Sequence, residues 1–227
     1  LAQIHADISA RFPGCDVMSI PYYRNKPDHG DVDLVVTAQN YGIVRDAVML
    51  AFNNPVHYDN NPILSFAYED DIQVDLIVCR NHAEAQMYVN YFAWNDLGNF
   101  FGRVARSLGF KYGHDGLTYV LRLSDHHTET INVTSDMRII LPFLGYDYET
   151  WRRGFAEKED VFAYAASSKA FNAQYFSLED QAHQDRVRNK KRAMYQAMLE
   201  YIETNNILPK PKFDTDQRDL MVMHMDL

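Results

Sequence analysis

Residues 30–36 are Gly30-Asp31-Val32-Asp33-Leu34-Val35-Val36, an apolar run of strand length that carries two aspartates. Side chains two residues apart on a strand point to the same face, so this pattern places Asp31 and Asp33 side by side. Two like charges on one face of a buried strand repel each other. We therefore expect a cation to lie between them.

A second run, Ile72-Gln73-Val74-Asp75-Leu76-Ile77-Val78, places Asp75 in the middle of another apolar strand. If the two strands are neighbours, three carboxylates converge on one patch. Such a patch suits two divalent metal ions about 3.5–4 Å apart, an arrangement that supports phosphoryl transfer. The sequence therefore predicts a metal site formed by Asp31, Asp33 and Asp75.

Length and composition limit the class of protein. The 227 residues, 47% of them hydrophobic, suffice for one large domain or two closely packed subdomains. We expect no membrane span and no signal peptide, because long apolar runs and a cationic start are missing. Cys15 and Cys79 form no disulfide framework, which favours a reducing cytoplasmic or nuclear setting. The net charge of −9 argues against a protein that coats nucleic acid over its whole surface.

The hydrophobic pattern predicts a mixed α/β (α+β) chain that becomes helical after about residue 134. Strands Ile63–Tyr68 and Ile72–Cys79 are expected to form a hairpin around Glu69-Asp70-Asp71. Further helices are expected at 2–12, 41–53, from residue 82, and at 96–108, and further strands at 15–20 and 117–123.

The last third of the chain carries signals for helix starts. Thr134 or Ser135 is expected to cap a helix at 137–144, and Ser177 to cap one long helix that runs to about residue 204. The tail around Pro209 and Pro211 is expected to be an extended strap or a frayed end.

Further motifs stand in order around the aspartates. Arg24 lies seven residues before Asp31, and the second aspartate strand is followed by Tyr91-Phe92-Ala93-Trp94-Asn95-Asp96-Leu97-Gly98-Asn99-Phe100-Phe101-Gly102-Arg103. With these motifs, residues 15–147 resemble the nucleotidyltransferase superfamily and, within it, the DNA polymerase beta-like (family X) polymerases. The metal motif Gly-Asp-x-Asp of that family begins here at Gly30. Its Tyr-Phe-Thr-Gly-Ser-Asp-x-x-Asn-x-x-x-Arg pattern matches the long run without gaps, with Ala-Trp-Asn in place of Thr-Gly-Ser.

The resemblance implies a nucleotidyltransferase palm with a small mixed β-sheet, followed by a helical thumb. It implies palm residues at 1–80, a nucleotide- and template-contacting part at 81–147 and a helical extension at 148–227. Asp31 and Asp33 would hold both of two Mg²⁺ ions, which Mn²⁺ can replace. Asp75 would hold one of them and help to deprotonate the attacking 3′ hydroxyl.

The resemblance also implies roles for other side chains. Arg103 would touch the template side, and the nucleotide would be bound by Ser19, Arg24, Gly30, Tyr91, Phe92, Asp96 and Asn99. Gln73 stands where the family often has an arginine.

The densest basic segment of this acidic chain is Arg186-Val187-Arg188-Asn189-Lys190-Lys191-Arg192. On one helix its charges would wrap most of the way round. We expect contact with nucleic acid there, through Arg186, Arg188, Lys190 and Lys191.

The expected activity is metal-dependent transfer of a nucleoside monophosphate from an NTP or dNTP to a 3′ hydroxyl. A DNA primer end is the favoured acceptor, as in a DNA repair or gap-filling polymerase. Two alternatives stay open. In one, the transfer is template-independent, or the acceptor is an RNA 3′ end, a protein hydroxyl or a small molecule. In the other, the chain is a catalytically silent nucleotide-binding module.

Overall fold

The computed structural model describes residues 1–69, 72–124, 127–179 and 181–210. These residues form two compact units with mixed helix and strand content, which confirms the predicted α+β class. The first unit comprises Leu1–Pro21 and Lys26–Ala93, and the second comprises Tyr22–Asn25 and the chain from Trp94 onward. The division lies between Ala93 and Trp94, whereas the sequence analysis divided the chain after residues 80 and 147. Asp70, Asp71 and the tail with Pro211 lie outside the described residues.

The first unit is built on a five-stranded sheet. Its elements are α1 (Ala2–Arg11), β1 (Val17–Ser19), β2 (Asp31–Thr37), α2 (Tyr41–Ala51), β3 (His57–Asn60), β4 (Ile63–Tyr68), β5 (Ile72–Cys79) and α3 (His82–Phe92). The strand order is β1-β2-β5-β4-β3. Strands β2 and β5 are parallel neighbours, and all other pairs are antiparallel. The predicted pairing of the two aspartate strands and the hairpin of β4 with β5 are both confirmed.

Each face of this sheet has its own apolar core. On one face, Val32 and Leu34 pack with Ile8 of α1 and Val48 of α2. On the other face, Val35 and Ile77 pack with three residues of α3, namely Ala85, Tyr88 and Val89. The alternation of strand side chains thus buries successive residues of β2 on opposite sides. This leaves the polar residues of β2 on the face that α3 covers in part.

The second unit contains a three-stranded sheet and many short helices. Its elements are α4 (Leu97–Ser107), β6 (Phe110–Gly113), β7 (Gly116–Ser124), β8 (His127–Thr134), α5 (Met137–Phe143), α6 (Tyr148–Arg153), α7 (Lys158–Ala166), a 3₁₀ helix (Ala173–Phe176), α8 (His183–Lys191) and α9 (Ala193–Thr204). The strands are ordered β6-β7-β8 and pair antiparallel. The described elements after Thr134 are all helical, as predicted.

Two predictions for the second unit are wrong. The long helix expected from Ser177 to about residue 204 is two helices, separated at Arg192, which adopts an extended conformation with φ −86° and ψ 110°. The N-cap of α5 is Asp136, whose side chain accepts a hydrogen bond from Arg138 N, and not Thr134 or Ser135. Across the described residues, no helix combines the length and apolar character that a membrane crossing needs.

Candidate metal centre

Asp33 of β2 lies directly opposite Asp75 of β5 in the parallel pair, and Asp31 lies opposite Gln73. Residues opposite each other in a sheet share a face, so all three carboxylates project from the same side. Each offers an oxygen, and these oxygens lie within 4.8 Å of one another. The structure therefore brings together the three aspartates that the sequence predicts.

The carboxylates stay accessible because α3 covers only part of their face. Val35 and Ile77, two residues further along the strands, are buried beneath Ala85, Tyr88 and Val89. Asp31 and Asp33 precede that covered region and are exposed, while Asp75 is half-buried. Val32 and Leu34 hold the strand down on the opposite face. The apolar residues thus fix the backbone, and the aspartates lie on the part of the sheet face that α3 leaves uncovered.

Like charge and lost hydration disfavour full ionisation of this cluster. The side chain of Asp33 reaches solvent, but the atoms around it displace part of its hydration water, which raises its pKa to about 6. The charges of Asp31 and Asp75 raise this pKa as well, and Lys26 opposes them. A bound cation would relieve this repulsion. Three carboxylates of this kind supply the hard oxygen ligands that Mg²⁺ and Mn²⁺ prefer, so the donor set fits a divalent metal.

Gln73 orients one of the ligands. Its side-chain amide donates a hydrogen bond of 2.9 Å to Asp75 Oδ1. Because an amide is neutral, this bond fixes the carboxylate without adding the positive charge that an arginine would bring. Gln73 thus orients Asp75 through one oxygen and leaves the second oxygen to a metal or a proton.

A row of side chains that the sequence analysis did not identify continues from the carboxylates across the sheet. Ser65 of β4 lies opposite Asp75, and Tyr58 of β3 lies opposite Ser65. Strand spacing places Tyr58 roughly 10 Å from Asp75 on the same face. Its side chain is 68% exposed, and with Ser65 and Gln73 it lines a cavity of about 290 Å³. The alternation of buried and less buried residues in β4 could have predicted which face Ser65 occupies, whereas β3 shows no such alternation.

Four other candidate residues belong to the first unit, namely Ser19, Gly30, Tyr91 and Phe92. Ser19 lies opposite Leu34, which places its side chain on the opposite face of the sheet from Asp33. Gly30 directly precedes β2, and a Cβ there would meet no atom within 4 Å, so space does not demand glycine. Phe92 packs against the apolar core beneath α3, with the ring of Tyr91 edge-on at 5.1 Å. The predicted nucleotide contacts of these four residues stay predictions.

The remaining candidates belong to the second unit. The backbone N–H of Arg24 donates to Phe155 O at 3.0 Å, and its guanidinium donates to Arg153 O at 3.3 Å. Asp96 forms an ion pair with Arg192 at 2.9 Å. Asn99 Nδ2 is buried without a hydrogen-bond partner among the described residues.

Arg103, expected on the template side, is buried inside the second unit. It is 8% exposed and donates to Tyr175 O at 2.7 Å. Its guanidinium also lies 4.7 Å from the ring centre of Tyr195 and 5.6 Å from that of Phe176. The contacts of Arg103 are therefore mainly internal.

An unusual backbone turn precedes α4. Trp94 and Asn95 both adopt positive φ angles, 61° and 64°, a region that side chains with a Cβ rarely occupy. Trp94 packs edge-on against Phe155 at 5.5 Å, and a Cβ added to Gly154 would collide with the Trp94 ring. The turn forms without the glycine that the family X polymerases have there, and the packing of Trp94 against Phe155 stabilises it.

The basic segment is divided between two helices. Arg188, Lys190 and Lys191 are exposed on α8, and Arg186 is half-buried. Asn189 is buried at 2% exposure, and Arg192 is engaged with Asp96. Three cations of the segment are thus exposed.

Neither a protein-family model nor a curated protein was found to match this chain.

Proposed function

We propose that this chain is a metal-dependent nucleotidyltransferase that transfers a nucleoside monophosphate from a nucleoside triphosphate to an acceptor hydroxyl. The observation that carries the proposal is the cluster of Asp31, Asp33 and Asp75, with oxygens within 4.8 Å of one another on two parallel strands. Clustered like charges cost stability, so such a cluster is typical of a metal-binding site.

In this proposal the three aspartates hold two Mg²⁺ or Mn²⁺ ions. Bound there, the cations would neutralise charge on the transferring phosphate and lower the pKa of the attacking hydroxyl. Asp75 accepts the hydroxyl proton, and Gln73 keeps its carboxylate oriented through the 2.9 Å hydrogen bond.

The acceptor is proposed to be a nucleic-acid 3′ end, with DNA tested first. The row from Asp75 through Ser65 to Tyr58 supports this choice. Tyr58 is an exposed aromatic residue two strands away from the proton acceptor, roughly 10 Å by strand spacing, which is within reach of a nucleobase whose sugar carries the hydroxyl. Base stacking of this kind tolerates any sequence.

An untemplated acceptor is the second candidate, and the burial of Arg103 favours it. A guanidinium that is only 8% exposed and lies over the ring of Tyr195 presents little surface to a template. A templated polymerase would need other contacts on the paired bases.

The test is incorporation of labelled NTPs and dNTPs with Mg²⁺ or Mn²⁺. The acceptors are primer–template, gapped and single-stranded DNA, and single-stranded RNA. Asp75→Asn removes the proposed proton acceptor, and Asp46→Asn, an exposed aspartate of α2, is the matched control. Incorporation that needs metal and Asp75, but not Asp46, supports the proposal. No incorporation on any acceptor, or equal activity of both variants, would refute it.

A further inference from the structure

A cavity of about 270 Å³ lies within the second unit, apart from the carboxylate cluster. Its walls include Arg103 and Arg106 from the last two turns of α4, and Tyr175 from the 3₁₀ helix. Ala182 and Asp185, at the start of α8, line the same cavity. Among the described residues that line the cavity, two guanidiniums and one carboxylate are charged, so their net charge is positive.

Arg103 is a buried charge without a close ion-pair partner among the described residues, because the carboxylates of Asp96 and Asp185 act on it only from a longer range. It is 8% exposed, and among the described residues no carboxylate lies within 4.0 Å of its guanidinium. Nη1 donates to Tyr175 O, but the buried Nε–H has no hydrogen-bond partner there. Burial lowers the pKa of Arg103, yet a guanidinium stays protonated. Because buried charges are normally paired, this one points to an anion that binds beside it.

Two further features favour an anion in the same cavity. Arg106 Nη1 lies 3.9 Å from Asp185 Oδ2, so its pairing is loose and its side chain remains 66% exposed. Helix α8 begins after Ala182, which provides no side-chain cap for the N–H groups of the first turn. Those N–H groups carry partial positive charge, so the N-terminus of α8 favours the binding of a phosphate.

We propose that this cavity binds a phosphate group, held by Arg103 and Arg106 against the N-terminus of α8. Its volume is slightly below that of typical small-molecule pockets, which suits a phosphate with ordered water. Planar guanidiniums match phosphate oxygens in pairs. Asp185 competes with the phosphate for Arg106. The phosphate can belong to a free anion or to a nucleic-acid strand that also contacts the exposed cations of α8, and the proposal does not depend on catalysis.

The test is calorimetric titration of the whole chain in EDTA, so that no metal site contributes. The probes are inorganic phosphate, a nucleoside monophosphate and a short oligonucleotide without terminal phosphates. Arg106→Gln should weaken binding about tenfold, the effect of removing one charge-assisted hydrogen bond. Asp185→Asn should tighten binding, because the competing carboxylate is gone. Arg152→Gln, an exposed arginine of α6 paired with Glu149, is the matched control and should change nothing.

Binding of phosphate or the monophosphate with this pattern identifies a free anion as the ligand. Binding of the oligonucleotide alone, with the same pattern, identifies a strand. Failure of all three probes would overturn the proposal, and so would equal effects of Arg106→Gln and Arg152→Gln. The Asp75→Asn variant should bind phosphate as the unaltered protein does. A loss of nucleotidyl transfer can therefore be distinguished from a loss of phosphate binding in this cavity. Arg106 is exposed, so the Arg106→Gln variant tests the cavity without the folding risk of changing buried Arg103.

Discussion

The guanidinium of Arg192 lies 2.9 Å from the carboxylate of Asp96, and it joins the start of α4 to the break between α8 and α9. The side chain of Asp96 is only 16% exposed, and that of Arg192 is 35% exposed. Burial raises the pKa of Asp96, while Arg192, Arg188 and Arg103 oppose that rise. Asp96, which was expected to contact the nucleotide, thus pairs with the last residue of the basic segment.

Arg192→Gln should destabilise the fold by about 1–3 kcal/mol, because it leaves a mostly buried carboxylate without its cation. Adding Asp96→Asn should recover part of that loss, as a double-mutant cycle in urea would show. Arg152→Gln, whose pair with Glu149 is exposed, should cost less than about 0.5 kcal/mol. Additive effects of the first two substitutions would mean that the pair contributes nothing.

Asp75→Asn should lower nucleotidyl transfer by several orders of magnitude. The variant loses a metal ligand and the proton acceptor together, and the second loss alone costs ~10²–10⁴-fold. Metal-dependent nucleotide binding should largely survive through Asp31 and Asp33, measured by titration with a labelled triphosphate. Thermal stability without metal should hold or rise, since one repelling charge is removed. An unfolded Asp75→Asn protein would contradict this account, with Asp46→Asn as the folded control.

The raised pKa of Asp33 sets the pH dependence of stability without metal. Its pKa rises from 3.8 to about 6 on folding, so the folded state binds the proton more tightly than the unfolded state. That contribution is complete below about pH 4 and is lost as the pH rises through about 6. Unfolding midpoints in EDTA should therefore fall over this interval relative to those of Asp33→Asn. Adding Mg²⁺ should remove the fall, and parallel curves for the two proteins would argue against the shift.

Arg103 and Asn99 should differ in effect although they lie one turn apart on α4. Arg103→Ala should cost about 2–4 kcal/mol of stability, because it empties a packed space and leaves Tyr175 O without its donor. Its transfer activity should fall equally on paired and unpaired acceptors. Asn99→Ala should spare untemplated addition and lower efficiency only where a template is present. Primer extension on matched paired and single-stranded substrates measures both.

The exposed cations of α8 should control the salt dependence of nucleic-acid binding. Replacing Arg188, Lys190 and Lys191 by alanine should reduce the slope of log affinity against log salt by about 0.7–0.9 for each phosphate that the variant no longer neutralises. A matched triple substitution of Arg45, Arg80 and Arg152, which lie exposed elsewhere, should leave the slope unchanged. If both triple variants behave alike, the segment has no special role.

Sequence patterns predicted which aspartates share a face because strand alternation is a local property, whereas the pairing of β2 with β5 was only a hypothesis. Alternation on β2 and β5 fixes which side chains share a face, and Asp31, Asp33 and Asp75 follow it. The helix break at Arg192 has no such local signal. Neither glycine nor proline occurs at the break. Arg192, in its extended conformation, forms an ion pair with Asp96, which is far away in sequence.

Two other features escaped prediction for related reasons. Strand β8 exposes most of its residues, so it lacks the apolar alternation that marks a half-buried strand. Arg103 is buried against the ordinary preference of arginine for solvent, and its partners Tyr175 and Tyr195 lie far along the chain. The exposure of β8 and the burial of Arg103 depend on tertiary contacts, which cannot be inferred from a single sequence.

Helix α8 buries one residue, Asn189, whereas α9 buries Tyr195 and Met198. Asn189 is held by hydrogen bonds, one to Gln181 Oε1 at 2.8 Å and one from Gln196 to its carbonyl at 3.0 Å. Little apolar surface would be exposed if α8 alone opened, so its local opening requires less free energy than global unfolding. Amide protons of α8 should consequently exchange with solvent before those of α9. Trypsin, which cleaves after lysine and arginine, should cut within α8 before it cuts within the other described helices.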